Sequence, residues 1–260
     1  MKIINNITIG KSLSAGLLLM AATCLVSCDG MFDGIYDDAE DETVNVADAE
    51  DVTVEVTDST GNTITVTGTT SDTGFGFIAY DSSTRRGTIY VNSTDYYTWT
   101  YFNAHNLTTD TLIIDLSLDD PLADEPEEWD FAVHRWDART NGGAVLETEY
   151  ENLDDLEASG EIPSGDYVED EWYEYVSVDM SNMMSGVIGY MSCYCNLELG
   201  KWMDVDTSNM PPTYTPSGKV YVLRNSDGSY MALILSNYMK TGGSTKGYLT
   251  IDYIFPYQPE

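Results

Sequence analysis

The chain has 260 residues, with 44 acidic side chains against 11 basic ones and a formal net charge of −33. Such a surface repels nucleic acid and anionic lipid, which excludes nucleic-acid partners. Nineteen tyrosines and five tryptophans favour strands over helices.

Lys2 and Lys11 flank and precede an apolar run from Leu13 to Val26, too short for a bilayer span and placed where export signals sit. Residues 1–27 therefore read as a lipoprotein signal peptide. The run ends in Leu25-Val26-Ser27-Cys28, which resembles a lipobox; an ordinary secretory signal with an incidental cysteine is the plainer alternative. Cys28 then becomes the lipidated N-terminus, and two or more acyl chains of the palmitate type anchor the protein without a spanning helix. No later stretch is long and apolar enough to span. Losing Lys2 and Lys11 leaves 9 basic against 44 acidic residues. Residues 28–51 read as an acidic tether whose composition offers too little apolar surface to offset ordering, so it is expected to be disordered.

Residues 52–86 follow as an added hairpin and connection. Val52, Val54 and Val56 alternate before the turn residues Asp58 to Asn62, and Ile64 and Val66 resume the pattern. Phe75, Phe77 and Ile78 mark a short strand within the Ser- and Thr-rich connection. Residues 87–260 form the main domain. Strands are expected at Thr88–Val91, within the aromatic cluster Tyr96–Phe102, at Leu112–Leu118 and at Phe131–Trp136. Lys219–Arg224 and Ser229–Leu235 form a hairpin whose Asp227-Gly228 supplies the positive φ of its turn, and Gly247–Phe255 adds a last strand. Leu153–Ala158 alone looks helical. The pattern predicts an all-β fold, a single antiparallel two-sheet domain.

Enzyme signatures are missing: there is no GxSxG elbow, HExxH, phosphate-binding glycine loop or EF-hand loop. Among 44 acids, chance carboxylate pairs carry no information. Of two histidines, His134 falls on one face with Asp130, Ala132 and Trp136 and reads as framework, while His105 reads as a loop residue. Cys193 and Cys195 share one strand face and read as buried thiols. Methionine is the unusual feature. Eight of eleven lie between Met180 and Met239. Met191, Met231 and Met239 read as core filling. Met183, Met184 and Met210 lie among turn residues, and Met203 lies nearby; a loop thioether is a soft neutral donor for haem iron or Cu(I).

Several segments in order resemble the HmuY-type haem-binding lipoproteins, or haemophores. They are Tyr97-Thr98-Trp99-Thr100-Tyr101-Phe102, then Trp129 to Arg139 with Gly142-Gly143-Ala144-Val145, then Gly200-Lys201-Trp202-Met203 with Pro212-Thr213-Tyr214, and Val220 to Arg224 with Asp227-Gly228. The resemblance implies a hand-like fold gripping haem in a cleft, with iron held by two axial side chains. It also implies a non-enzymatic outer-membrane lipoprotein, exposed at the cell surface, that serves haem and iron acquisition, with an outer-membrane receptor or host haem proteins as further partners. Members use two histidines or two methionines. This chain offers Met210 as one ligand and Met183 or Met184 as the other, Met203 being the weaker candidate, with a preference for ferrous haem. Arg139, Lys201, Lys219 and Arg224 are the cations available for haem propionates. Two other classes remain open: a Cu(I)-binding envelope protein using these methionines with Cys193 and Cys195, and a glycan- or adhesin-type β module.

Overall fold

A computed structural model describes residues 48–58, 61–206, 208 and 212–259. Cys28, the signal peptide and the tether before residue 48 lie outside them. No helix of the described residues is long and apolar enough to cross a membrane.

Seventeen strands follow in chain order: β1 Asp51–Thr57, β2 Thr63–Thr69, β3 Gly76–Asp81, β4 Arg86–Asn92, β5 Thr98–Asn103, β6 Thr108–Ile113, β7 Phe131–His134, β8 Asp137–Thr140, β9 Ala144–Glu147, β10 Val168–Glu169, β11 Glu171–Asp179, β12 Gly189–Cys195, β13 Met203–Asp206, β14 Thr213–Pro216, β15 Val220–Arg224, β16 Tyr230–Met239 and β17 Lys246–Ile254. Helix α1, Leu153–Ala158, has the expected bounds, and α2, Leu197–Gly200, is a single turn that no sequence pattern had signalled. The fold is all-β, as expected, and every paired strand is antiparallel.

One sheet has seven strands in the order β10-β9-β15-β16-β17-β4-β3, and another has four in the order β6-β5-β7-β8; three further hairpins stand apart as β1-β2, β11-β12 and β13-β14. The four-stranded sheet is the middle layer. Alternation sends Phe102, Phe131 and Val133 to the side where Ile89, Leu233, Ile251 and Tyr253 of the seven-stranded sheet wait. It sends Trp99, Tyr101 and Ala132 to the opposite side, against Val176, Val178, Met191 and Cys193 of β11–β12. Both faces being covered, β5 and β7 carry almost no exposed residue. The far face of the seven-stranded sheet is covered by α1, whose Leu153 and Leu156 pack on Val220, Val222, Ala232 and Ile254. Asn152 caps that helix by accepting from the Asp155 amide at 2.8 Å, and Arg86 ties it to β4 through Asp154 and Glu157 at 2.5 and 2.7 Å.

Three expectations need correction. The strand placed at Leu112–Leu118 lies earlier, at Thr108–Ile113; Leu116 and Leu118 are exposed in the acidic turn that follows, where Asp115 accepts from the Ser117 amide. Residues 76–81, grouped with the added connection, form the edge strand of the large sheet through pairing with β4. Met239, assigned to the core, is 40% exposed at the end of β16, whereas Met231 and Met191 are buried.

His105, in the turn between β5 and β6, joins that turn to Asp130 and to the β15–β16 turn. Its Nδ1 lies 3.4 Å from Asp130 and its Nε2 3.0 Å from Asp227 in the β15–β16 turn. Burial opposes the imidazolium charge, but the two carboxylates outweigh it and raise the group to about 9. Because the folded value exceeds the unfolded one near 6.5, the stabilisation is complete below about pH 6.5 and is lost as pH rises through about 9. His105→Asn should flatten the fall in melting temperature between those values; an unchanged slope would assign that fall to other groups.

Gly87 on β4 lies beneath the ring of Tyr253. A Cβ there would meet Tyr253 Cζ and Oη at 2.4 Å and the Ala79 carbonyl oxygen at 2.6 Å. The backbone oxygen cannot move aside, so Gly87→Ala should lose about 1–3 kcal/mol in urea denaturation. Gly243→Ala, whose nearest neighbour is 3.7 Å away, serves as the mild comparison.

Candidate functional site

The β11–β12 hairpin is narrow and presents two unlike faces. Inward, Met191, Cys193 and Cys195 pack with Trp99, Tyr101 and Trp129. Outward, Trp172 meets Tyr194 edge-on at 5.4 Å and Tyr175 meets Tyr190 at 5.9 Å, all four exposed. At the tip, Met183–Ser185 forms a 3-10 turn that Gly186 ends in the left-handed region at φ 74°. Met183 is half-buried, while Met184 is 72% exposed and Val187 beside it 58%. The structure thus offers both candidate thioethers at one hairpin tip.

Met210 lies outside the described residues, in the connection between β13 and β14. Met203 is described, and its role differs from the expected one. Alternation in β13 turns Met203 and Val205 inward and Asp204 and Asp206 outward, so Met203 is 5% exposed within the main core. It is packing, not an offered ligand.

Beneath β14 the aromatic rings form a platform. Tyr214 lies 5.5 Å from Trp136 and 5.4 Å from Tyr238. Arg135 holds the β7–β8 turn in the left-handed region, φ 54°, and donates to the carbonyls of Ser93 and Thr94 at 3.0 and 2.6 Å, with its guanidinium 4.4 Å from the Tyr96 ring. Burial and neighbouring Tyr96 raise the Tyr214 phenol, which Arg135 partly offsets. Lys246 reaches the same platform, its Nζ 5.1 Å from the Tyr214 ring and 3.4 Å from the Pro212 carbonyl.

One short segment joins the two hairpins. Tyr96 faces Arg135 and Tyr214, whereas Tyr97, 39% exposed, is raised by burial and by the nearby Asp179 of β11 and Asp95. Residues 95–97 therefore lie between the β11–β12 tip and the β13–β14 platform. No periodicity singled out Tyr97, Lys246 or Arg135, because their neighbours come from distant strands.

The expected propionate cations are committed elsewhere. Arg139 is buried between Trp99 and Trp129, 5.5 and 5.4 Å from their rings. Its Nε donates to the Tyr194 carbonyl at 2.9 Å and its Nη1 to Glu125 at 2.7 Å. Lys201 pairs with Glu198, Lys219 with Glu151, and Arg224 lies over Tyr167. His134 is fully buried, with Nε2 2.8 Å from the Tyr96 carbonyl and its ring against Trp99, as a framework residue should be. Cys193 and Cys195 are both buried. Among the described residues, no group of three or more His, Cys, Asp or Glu side chains is arranged to hold a metal ion.

A family model described as HmuY protein matches residues 95–253. The chain belongs to the HmuY family. The matched segment of this HmuY-family chain begins just after β4 and takes in both hairpins and the segment between them. A crystal structure from Bacteroides vulgatus, described as a HmuY-like haem-binding protein, is 49% identical over 71% of this chain and 99% of its own, with a TM-score of 0.65. A Bacteroides fragilis structure described as a lipoprotein is 45% identical over 73% of this chain and 99% of its own, at 0.67. The apo HmuY analogue of Tannerella forsythia, 23% identical over 67% of this chain and 96% of its own at 0.55, shares the fold. No curated protein matches the chain.

Arg139 on β8 ties β12 to the middle sheet. Arg139→Met should keep much of the stem's packing yet leave the Tyr194 carbonyl and Glu125 without their donor, costing about 1–3 kcal/mol. Hydrogen exchange of residues 189–195 should speed up while that of β16 and β17 stays unchanged.

Proposed function

We propose that this chain is a non-enzymatic haem-binding protein of the cell envelope that captures haem between its two projecting hairpins. Family membership carries the reading, since the HmuY family is a haem-binding one and a 49% identical relative is described as haem-binding. The donor set fits the ligand. A haem brings four of its iron's six ligands and asks the protein for two axial donors and a flat apolar wall. Met183 or Met184 would supply one thioether and Met210 the other, with Tyr97, Val187 and Tyr190 as exposed apolar surface near the first. Haem supplies the redox-active iron, and thioether sulfur favours its ferrous state. Lys246 and its aromatic platform are better placed than Arg139, Lys201, Lys219 or Arg224 to meet an anionic group near residue 212.

We read residues 1–27 as the lipoprotein signal and Cys28 as the lipidated residue of an outer-membrane protein exposed at the surface, handing haem to an uptake receptor or taking it from host haem proteins. The Bacteroides fragilis relative, described as a lipoprotein, supports that placement.

Titrating haem into the full-length chain under dithionite should produce a low-spin Soret band. Met210→Ala and the Met183→Ala/Met184→Ala pair should each weaken binding on the order of tenfold or more, while Met203→Leu leaves it unchanged. A spectrum indistinguishable from free haem would reject haem capture; a band insensitive to these substitutions would reject methionine ligation alone.

A further inference from the structure

Strand β12 reads Met191-Ser192-Cys193-Tyr194-Cys195, so three sulfur-bearing side chains fall on one face of one strand. All three are buried, and they face Trp99, Tyr101 and Trp129 rather than the exposed hairpin tip. The two thiols touch, with Sγ to Sγ at 3.5 Å. Neither the haem reading nor the hairpin's packing requires two adjacent thiols there.

The strand geometry disfavours a direct bond between them. Cys193 is paired to Tyr173 and Cys195 to Glu171. Residues two apart on an extended strand have Cα atoms roughly 6.6–6.8 Å apart. That is the outer limit of the disulfide range, about 4.4–6.8 Å with a mode near 5.5–6 Å. A bridging atom suits the pair better. With metal–sulfur bonds of about 2.3 Å, a linear two-thiolate centre needs its sulfurs roughly 4.6 Å apart, which the pair reaches from 3.5 Å when its side chains rotate apart by roughly 1 Å. We propose that the Cys193 and Cys195 thiolates form a two-coordinate binding site for a soft monovalent cation of the Cu(I) class, distinct from the hairpin-tip methionines.

Ligand softness and number select the metal: two thiolates alone suit two-coordinate Cu(I), whereas harder divalent cations prefer oxygen and imidazole. Charge is also provided for. Cu(I) displaces the two thiol protons to solvent with no change of oxidation state, and the resulting bis-thiolate complex carries one negative charge. Buried charge needs a partner. Arg139 is that partner: its Nε donates to the carbonyl of Tyr194, the residue between the two cysteines, and its charge acts on both of them. Glu125, its present partner, is 34% exposed and free to turn toward water. The metal enters by local opening of the two-stranded hairpin, whose pairing is broken by two register shifts.

The full-length chain is titrated anaerobically with Cu(I) supplied as its bicinchoninate complex. It should withdraw one equivalent, and X-ray absorption should show a sulfur-only first shell at about 2.3 Å. Cys193→Ser and Cys195→Ser should each weaken binding about a hundredfold or more, while Met191→Leu and the Met183→Leu/Met184→Leu pair leave it unchanged. No withdrawal of Cu(I), full retention in the double serine variant, or loss confined to the Met183/Met184 variant would overturn the site. Should the serine variants fail to fold, the spectrum of the Met183→Leu/Met184→Leu/Met210→Leu variant decides: one equivalent held in a sulfur shell supports the site, and a nitrogen or oxygen shell or no retained Cu(I) rejects it. The haem titration reads different sulfur atoms, so either result can fail without the other.

Discussion

Everything in this molecule depends on a four-stranded sheet that must bury both of its faces. A sheet with one wet face can be built from strict alternation of apolar and polar residues, but β5 and β7 place large side chains on both sides: Trp99 and Tyr101 one way, Phe102, Phe131 and Val133 the other. The seven-stranded sheet covers one side. A two-stranded hairpin, β11–β12, has to cover the other, and a hairpin alone is marginal in water. Its inward face of Val176, Val178, Met191, Cys193 and Cys195 is therefore its attachment, while Met184 and Val187 at its tip stay exposed.

That arrangement puts rigid parts beside exposed ones. Arg139, wedged between two tryptophans and bonded to the Tyr194 carbonyl and Glu125, fixes the hairpin base. His134 and Arg135, at the end of β7 and in the turn after it, anchor the carbonyls of residues 93, 94 and 96 and so fix the start of the segment that carries Tyr97. Hydrogen-bonded buried groups such as His134 and Arg139 specify one geometry more sharply than apolar packing does. The segment carrying Tyr97 and the base of the hairpin carrying Met183 and Met184 are thus each held by buried framework residues. A surface for capturing a large planar molecule can then stay open without costing the fold its core.

The two kinds of methionine in the chain follow from the same division. Where a strand faces the core, as at Met203, Met191 and Met231, the thioether fills an irregular gap. Where the chain turns at Met183 and Met184, the same side chain is half-buried at Met183 and offered outward at Met184. Residue type alone does not separate these roles; the face on which the backbone places it does.

The all-β class, the bounds of α1, the β15–β16 hairpin with its Asp227-Gly228 turn, the framework role of His134 and the family resemblance were legible in the chain alone. Most rest on a local signal: period-two alternation, a turn dipeptide, or family-like segments standing in order along the chain. Packing was needed to show that Met203 is core, that Arg139 is a buried clamp, that residues 76–81 belong to the large sheet, and that Tyr97 lies beside Asp179 of β11. Burial and charge pairing are set by residues far apart in the chain, such as Arg139 with Glu125 and Tyr194, or His105 with Asp227. Alternation tells which residues share a face, and only the packed layers tell which face is dry.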